Sequence, residues 1–245
     1  MKNKICIVMI LVLTAIFAVS TYIFVSDTLD DKKQTDEFES IAQAVEDSGQ
    51  CSDNKYADLY AQNNDFIGWI KIDDTVIDYP VMQSKDRPNF YLDHNFSKEY
   101  SRFGVPYMQK NCNLQSDNIV IYGHNMKNKS MFNGLTKYKD KDFYNAHRYI
   151  QLDTLSEQRK YEVICAFKTV AYANNGFKYY EFVNADSQKD FSAYIEKCQA
   201  LSFYDTGVRA EYGDKLITLS TCEYSQNNGR FAVVAKLIEA NNYET

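Results

Sequence analysis

The chain has 245 residues, enough for one domain with a real core plus an appendage. Its hydrophobic (45%) and charged (24%) contents are those of a globular protein, and 20 Tyr and 15 Phe against 9 Gly and 3 Pro favour strands. A net charge of −6 excludes a broad nucleic-acid footprint.

Residues 5–25, "ICIVMILVLTAIFAVSTYIFV", are apolar apart from Ser and Thr and carry no charge. That length crosses a bilayer as a helix. Lys2 and Lys4 precede it, which favours a cytoplasmic N-terminus and an external C-terminal domain. The competing reading is a cleaved signal peptide, with Ala18-Val19-Ser20 as cleavage site. The apolar run is longer than a usual signal core, so the expectation is a retained membrane anchor over 1–25. The charged stretch that follows becomes amphipathic from Phe38, and "NKYADLYAQNNDF" reads as a second short helix. Together they predict a helical lead-in over 26–67.

From Gly68 the pattern turns to strands. "GWIKI" and "TVIDYPVM" flank Asp73-Asp74, which predicts a hairpin turn. "FGVPYM" is short and edge-like because of Pro106. "NIVIYGH" alternates and ends at Gly-His, and "RYIQLDTL" and "YEVICAFKTVAYA" follow. In "DSQKDFSAYIEKCQALSFY", Phe191, Tyr194, Ile195, Cys198 and Leu201 fall on one helical face, and Ser187 with Asp190 makes a capping-box-like start. "KLITLSTC" and "RFAVVAKLI" close the series. About eight strands with one inserted helix predict a mainly β domain over 68–245, either a small closed barrel or a sandwich.

The cysteines form no CxxC or Cys/His metal spacing, so no metal is expected. Cys6 lies in the apolar segment and Cys51 in the lead-in. Cys165, inside a strand, and Cys198, on an apolar helix face, read as core residues. Cys112 falls in a polar loop, which predicts an exposed thiol. Cys222 ends a strand before a polar turn, where a substrate can reach it. Of three histidines, His94 and His147 read as surface residues. His124 leaves an alternating strand through a glycine, a usual place for site residues on β scaffolds.

Arg230 follows the turn from Ser225 to Gly229 and opens the next strand. If the two strands are neighbours, Cys222 and Arg230 share one end of the domain. A guanidinium there stabilises an oxyanion through two donors, and its bland role is a salt bridge to Glu223. A Cys/His/Arg group needs no metal or cofactor: thiolate attacks, imidazole moves protons, and guanidinium holds the developing charge.

These segments resemble the sortases, bacterial transpeptidases that attach proteins to the cell wall. "TLSTC" matches the family's TLxTC strand, "YGHNM" its histidine segment, and "GR" its arginine; the resemblance covers residues 56 to 238 in order. The lead-in, "DFIGWIKIDDTVIDYPVMQ", "MFNGLTKY" and the helix at 187–201 resemble class B. Class C pilin polymerases usually add a lid loop and a second, C-terminal membrane segment, and this chain ends at "LIEANNYET". The resemblance implies a closed eight-stranded barrel with Cys222 as nucleophile, His124 as general acid/base and Arg230 as stabiliser. It makes Ser220 and Thr221 groove-lining substrate contacts. The acid that some class B members carry two positions after the cysteine is Tyr224 here, with Glu223 adjacent.

The implied enzyme is anchored in the cell membrane with an extracellular catalytic domain. It cleaves a C-terminal sorting signal, NPQTN-like or PxTG-like, after Thr through a thioacyl-enzyme. It then joins the surface protein to a peptidoglycan amine, without a cofactor. The alternatives are a pilin-polymerising sortase, a cysteine protease with water as acceptor, and a non-enzymatic external binding module.

Overall fold

The computed structural model describes residues 2–49, 55–171 and 176–243, in two compact units that divide between Ala44 and Val45. The first is built from helix α1 (Lys2–Gly49), which passes residue 25 without a break. Its apolar side chains from Ile5 to Val25 are exposed, and the helix is long and apolar enough to cross a membrane. The amphipathic stretch expected from Phe38 is the end of this same helix.

In the second unit a short helix α2 (Ala57–Gln62) precedes eight strands: β1 (Phe66–Lys71), β2 (Asp78–Met82), β3 (Tyr107–Met108), β4 (Asn118–Tyr122), β5 (Tyr149–Thr154), β6 (Glu157–Val170), β7 (Leu216–Cys222) and β8 (Gly229–Asn242). They close into a barrel in the order β1-β2-β3-β4-β7-β8-β6-β5. The Asp73-Asp74 hairpin forms, with Asp74 at φ 57° and the Ile72 amide donating to Ile77 at 2.9 Å. The "FGVPYM" segment contributes two strand residues, and the Pro106 carbonyl accepts from the Met82 amide at 3.0 Å. Strand β8 runs beyond the apolar "RFAVVAKLI" to Asn242. The part of "YEVICAFKTVAYA" at 172–173 lies outside the described residues, as does Cys51.

Helix α3 (Lys141–Ala146) starts at Asp140, whose carboxylate accepts from the Asp142 amide. Helix α4 (Gln188–Leu201) starts at Ser187, whose hydroxyl accepts from the Asp190 amide at 3.2 Å. It buries Phe191, Tyr194, Ile195 and Cys198, the face read from the sequence, and Leu201 is half-buried.

Strand β7 alternates in polarity yet is buried along six of its seven residues. Its hydroxyls are therefore paired within the protein. Thr218 Oγ1 donates to Asn118 Oδ1 at 2.8 Å, and the Tyr194 hydroxyl lies 3.3 Å away. Around them Ile119, Ile121, Leu219, Phe231 and Val233 are fully buried, each worth about 1.5–3 kcal/mol of apolar transfer.

Candidate active site

Strands β4 and β7 are parallel neighbours, with Ile121 opposite Leu219 and Tyr122 opposite Ser220. Their C-terminal ends therefore emerge at the same end of the barrel. Gly123-His124 follows one end and Cys222 is the other. Strand β8 returns antiparallel, and its register sets Arg230 directly opposite Cys222. Three residues far apart in the chain thus line one cleft of about 400 Å³, together with Ser220 and Thr221. Cys222, His124 and Arg230 are each half-buried, a setting that allows both access and partial desolvation.

Two glycines make this convergence possible. A Cβ on Gly123 would stand 2.6 Å from the Phe132 ring, which is fully buried. A Cβ on Gly229 would stand 2.2 Å from the Glu223 carbonyl. Only glycine lets the chain pass that closely at these two positions beside the candidate residues. The β7–β8 turn is tied by the Glu223 amide donating to the Gly229 carbonyl at 2.9 Å, with Asn228 in the left-handed region at φ 56°.

Nε2 of His124 lies 2.6 Å from the carbonyl oxygen of Leu92. A carbonyl only accepts, so Nε2 carries a proton and Nδ1 is the nitrogen left to exchange one. Arg230 donates from Nη1 to the Gly229 carbonyl at 2.9 Å, and among the described residues no carboxylate pairs with it. The described cleft wall contains no Asp or Glu; its permanently charged side chains are Lys110 and Arg230. Such a site favours negative charge developing on a bound carbonyl.

Glu223, next to the nucleophile candidate, faces a different partner. Its carboxylate accepts from Lys168 of β6 at 2.9 Å and from the Ser225 hydroxyl and amide. Burial alone would push this carboxyl up, but the bonds from Lys168 and Ser225 and the Lys168 charge outweigh it and hold it below its usual range.

Ser220 and Thr221 line the cleft, yet their hydroxyls are turned into the protein. Ser220 shares a hydrogen bond with the Tyr179 hydroxyl. Thr221 donates to the Gly123 carbonyl at 2.7 Å. Burial, partly offset by the Ser220 bond and the nearby Arg230 charge, pushes the Tyr179 phenol up to about 12, so it stays protonated.

The remaining candidates fall elsewhere. His94 stacks on Phe90 with centroids 3.8 Å apart and its Nδ1 lies 2.8 Å from Asp93; His147 stacks on Phe143 at 4.0 Å. Neither lines the cleft. Cys165 and Cys198 are fully buried, as the core reading expects. Cys112 differs from its expectation of exposure. Its loop folds back so that the thiol, buried, contacts the Asn118 carbonyl at 3.5 Å, and burial pushes the thiol up to about 11.

Tyr179, Asn125 and Leu92 were not singled out from the sequence. The Asn125 side chain donates to the Cys222 carbonyl at 2.8 Å. The only signal for it was its place immediately after His124.

Comparison with known proteins places these observations in a family. The model of the sortase domain matches residues 70–238. A curated relative named Sortase B from Listeria monocytogenes is 36% identical over 214 residues, covering 86% of this chain and 83% of its own. Another named Sortase B, from Staphylococcus aureus, is 29% identical and covers 98% of both chains. A solved Staphylococcus aureus sortase B–substrate complex superimposes with a TM-score of 0.77 at 29% identity, covering 86% of this chain and 99% of that one. Family match, barrel and cleft agree: this chain belongs to the sortase family, as a class B cysteine transpeptidase of the cell wall.

Proposed function

We propose that Cys222 is the nucleophile, His124 the general acid/base and Arg230 the oxyanion stabiliser of a sorting-signal transpeptidase. The Cys222 thiolate attacks the threonine carbonyl of a C-terminal signal, NPQTN-like or PxTG-like. The C=O electron pair moves onto oxygen, where the Arg230 guanidinium meets it. On collapse the C–N bond breaks, and His124 gives the leaving amine a proton from Nδ1 while Nε2 stays bonded to Leu92. A thioacyl-enzyme remains. A peptidoglycan-precursor amine attacks it, His124 takes that amine's proton, and the thiolate leaves as the new amide forms.

The remainder of the chain fits this task. Residues 1–25 serve as a single-pass anchor with a cytoplasmic N-terminus, 26–67 as a helical lead-in, and 68–245 as the catalytic domain, facing the wall of a Gram-positive cell. The observation that carries the reading is the shared cleft of Cys222, His124 and Arg230, with no carboxylate among its described lining residues.

The test uses the full chain in detergent with fluorogenic sorting peptides, with and without an added amine, read by mass spectrometry. A thioacyl adduct on Cys222 and an amine-ligated product are expected. Hydrolysis at the same rate with or without amine would instead make the enzyme a cysteine protease. Cleavage retained by Cys222→Ala would refute the assignment.

A further inference from the structure

Asn125 and Tyr224 stand at the rim of the site and take no part in the steps above. Asn125 Nδ2 donates to the Cys222 carbonyl at 2.8 Å, and its Oδ1 accepts from Asn133 Nδ2 at 2.6 Å. Asn133 Nδ2 also donates to the Met126 carbonyl at 3.3 Å. The Cys222 and Met126 carbonyls only accept, so the orientation of both amides is fixed. The Tyr224 hydroxyl donates to the Asn125 carbonyl at 2.9 Å. The residue after His124 is thereby bonded twice to the cysteine segment, across sequence separations of 97 and 99. From its other side Asn125 is held by an antiparallel bridge to Met131.

We infer that Asn125 and Tyr224 form a positioning bracket for the transfer reaction, setting the His124 imidazole against the Cys222 thiol without touching substrate. The inference rests on the roles proposed above for Cys222 and His124. One bond ends on the backbone of Cys222 and the other on the backbone adjoining His124. Displacing either segment changes the distance over which the proton moves, and misplacement of about 1 Å costs about 100-fold in rate. The two bonds run in parallel, so each partly makes up for the loss of the other. The Tyr224 ring is 70% exposed, so removing its hydroxyl takes nothing from the core.

The experiment compares wild type, Cys222→Ala, Asn125→Ala, Tyr224→Phe and the Asn125→Ala/Tyr224→Phe double variant, as full chains in detergent. Thioacyl formation from a sorting peptide is measured per alkylation-titrated thiol, with kcat and KM separated and kcat followed against pH. Expected are a roughly tenfold loss of kcat in Asn125→Ala and about threefold in Tyr224→Phe, at unchanged KM, the scale of one net hydrogen bond. The double variant should lose more than the product of the two, because the parallel bonds back each other up. A merely structural role would lower the titratable thiol or the melting temperature and leave kcat per thiol at the wild-type value, which would overturn the bracket. If Asn125→Ala yields no titratable thiol, Tyr224→Phe decides alone. Should Cys222→Ala stay active, the site assignment itself falls; should it be dead while Tyr224→Phe and Asn125→Ala match wild type, only the bracket does.

Discussion

The Thr221 hydroxyl donates to the Gly123 carbonyl at 2.7 Å, so the residue before Cys222 holds the residue before His124. Parallel pairing of β4 and β7 sets the two ends side by side, and this bond ties them beyond the last ladder pair. Thr221→Val keeps shape and removes the donor. It should lower kcat about tenfold with little change in KM, the scale of leaving one part-buried carbonyl unpaired. Thr221→Ser should restore most of it. A rise in KM with kcat intact would return Thr221 to the role of substrate contact.

Arg230 has no carboxylate partner among the described residues and faces Cys222 across the β7–β8 register. Arg230→Ala should therefore lose about 10²–10³ in acylation rate, the range for one oxyanion donor. Arg230→Lys should recover only part, since a point charge lacks the two-pronged geometry. Stopped-flow acylation with a sorting peptide measures both, and a near-normal alanine variant would reduce Arg230 to a structural residue.

A methyl group at position 123 meets the buried Phe132 ring at 2.6 Å. The amide of the same Phe132 donates to the His124 carbonyl at 2.8 Å. Gly123→Ala should cost about 1–3 kcal/mol in stability, as overpacking does, and reduce activity by shifting His124. Chemical denaturation combined with kcat gives both numbers. Unchanged stability would mean the turn relaxes freely.

The Glu223–Lys168 pair sets a pH dependence. The Glu223 carboxyl lies below its usual range in the fold: burial opposes the charge, and the Lys168 and Ser225 bonds override it. A depressed carboxyl favours the folded state above its unfolded value, about 4, and loses that contribution as pH falls through the lower folded value. Asp117 behaves alike, burial being outweighed by Lys215 and the Ala185 amide. In Lys168→Met only the Ser225 bonds are left to oppose burial. Its melting temperature should fall below wild type at pH 7 and converge on it only as pH drops below about 4, through the lowered Glu223 value. A constant gap across that range would dismiss the ion pair as the cause.

Local pattern carried much of this molecule. Alternation in "NIVIY" and "LITLSTC" identified both site strands, and the Ser187 cap with its apolar face located α4. Strand order was not legible, because the parallel β4–β7 pairing joins segments about a hundred residues apart and no local period encodes it. The same limit hid the partners of the Ser220 and Thr221 hydroxyls. Their place in the motif suggested substrate contacts, while the partners of their hydroxyls, Tyr179 and Gly123, come from other elements. Cys112 misled because its polar neighbours hide a loop that turns its thiol toward Asn118. Asn125 carries no signal in the sequence beyond its place after His124, and only the fold brings Cys222 to it.

The barrel order has a further consequence, in time rather than in space. Strands β7 and β8 are the last two of the eight in chain order, yet they stand between β4 and β6 and close the cylinder. Without residues 216–242 the order of the other six strands would leave the sheet open, with β4 and β6 as its edges. The β4–β7 pairing closes a loop of about a hundred residues, a non-local contact of the kind that slows folding. The pairings that seal the barrel, β7 with β4 and β8 with β6 and β7, are thus the same ones that bring Cys222 to His124 and Arg230.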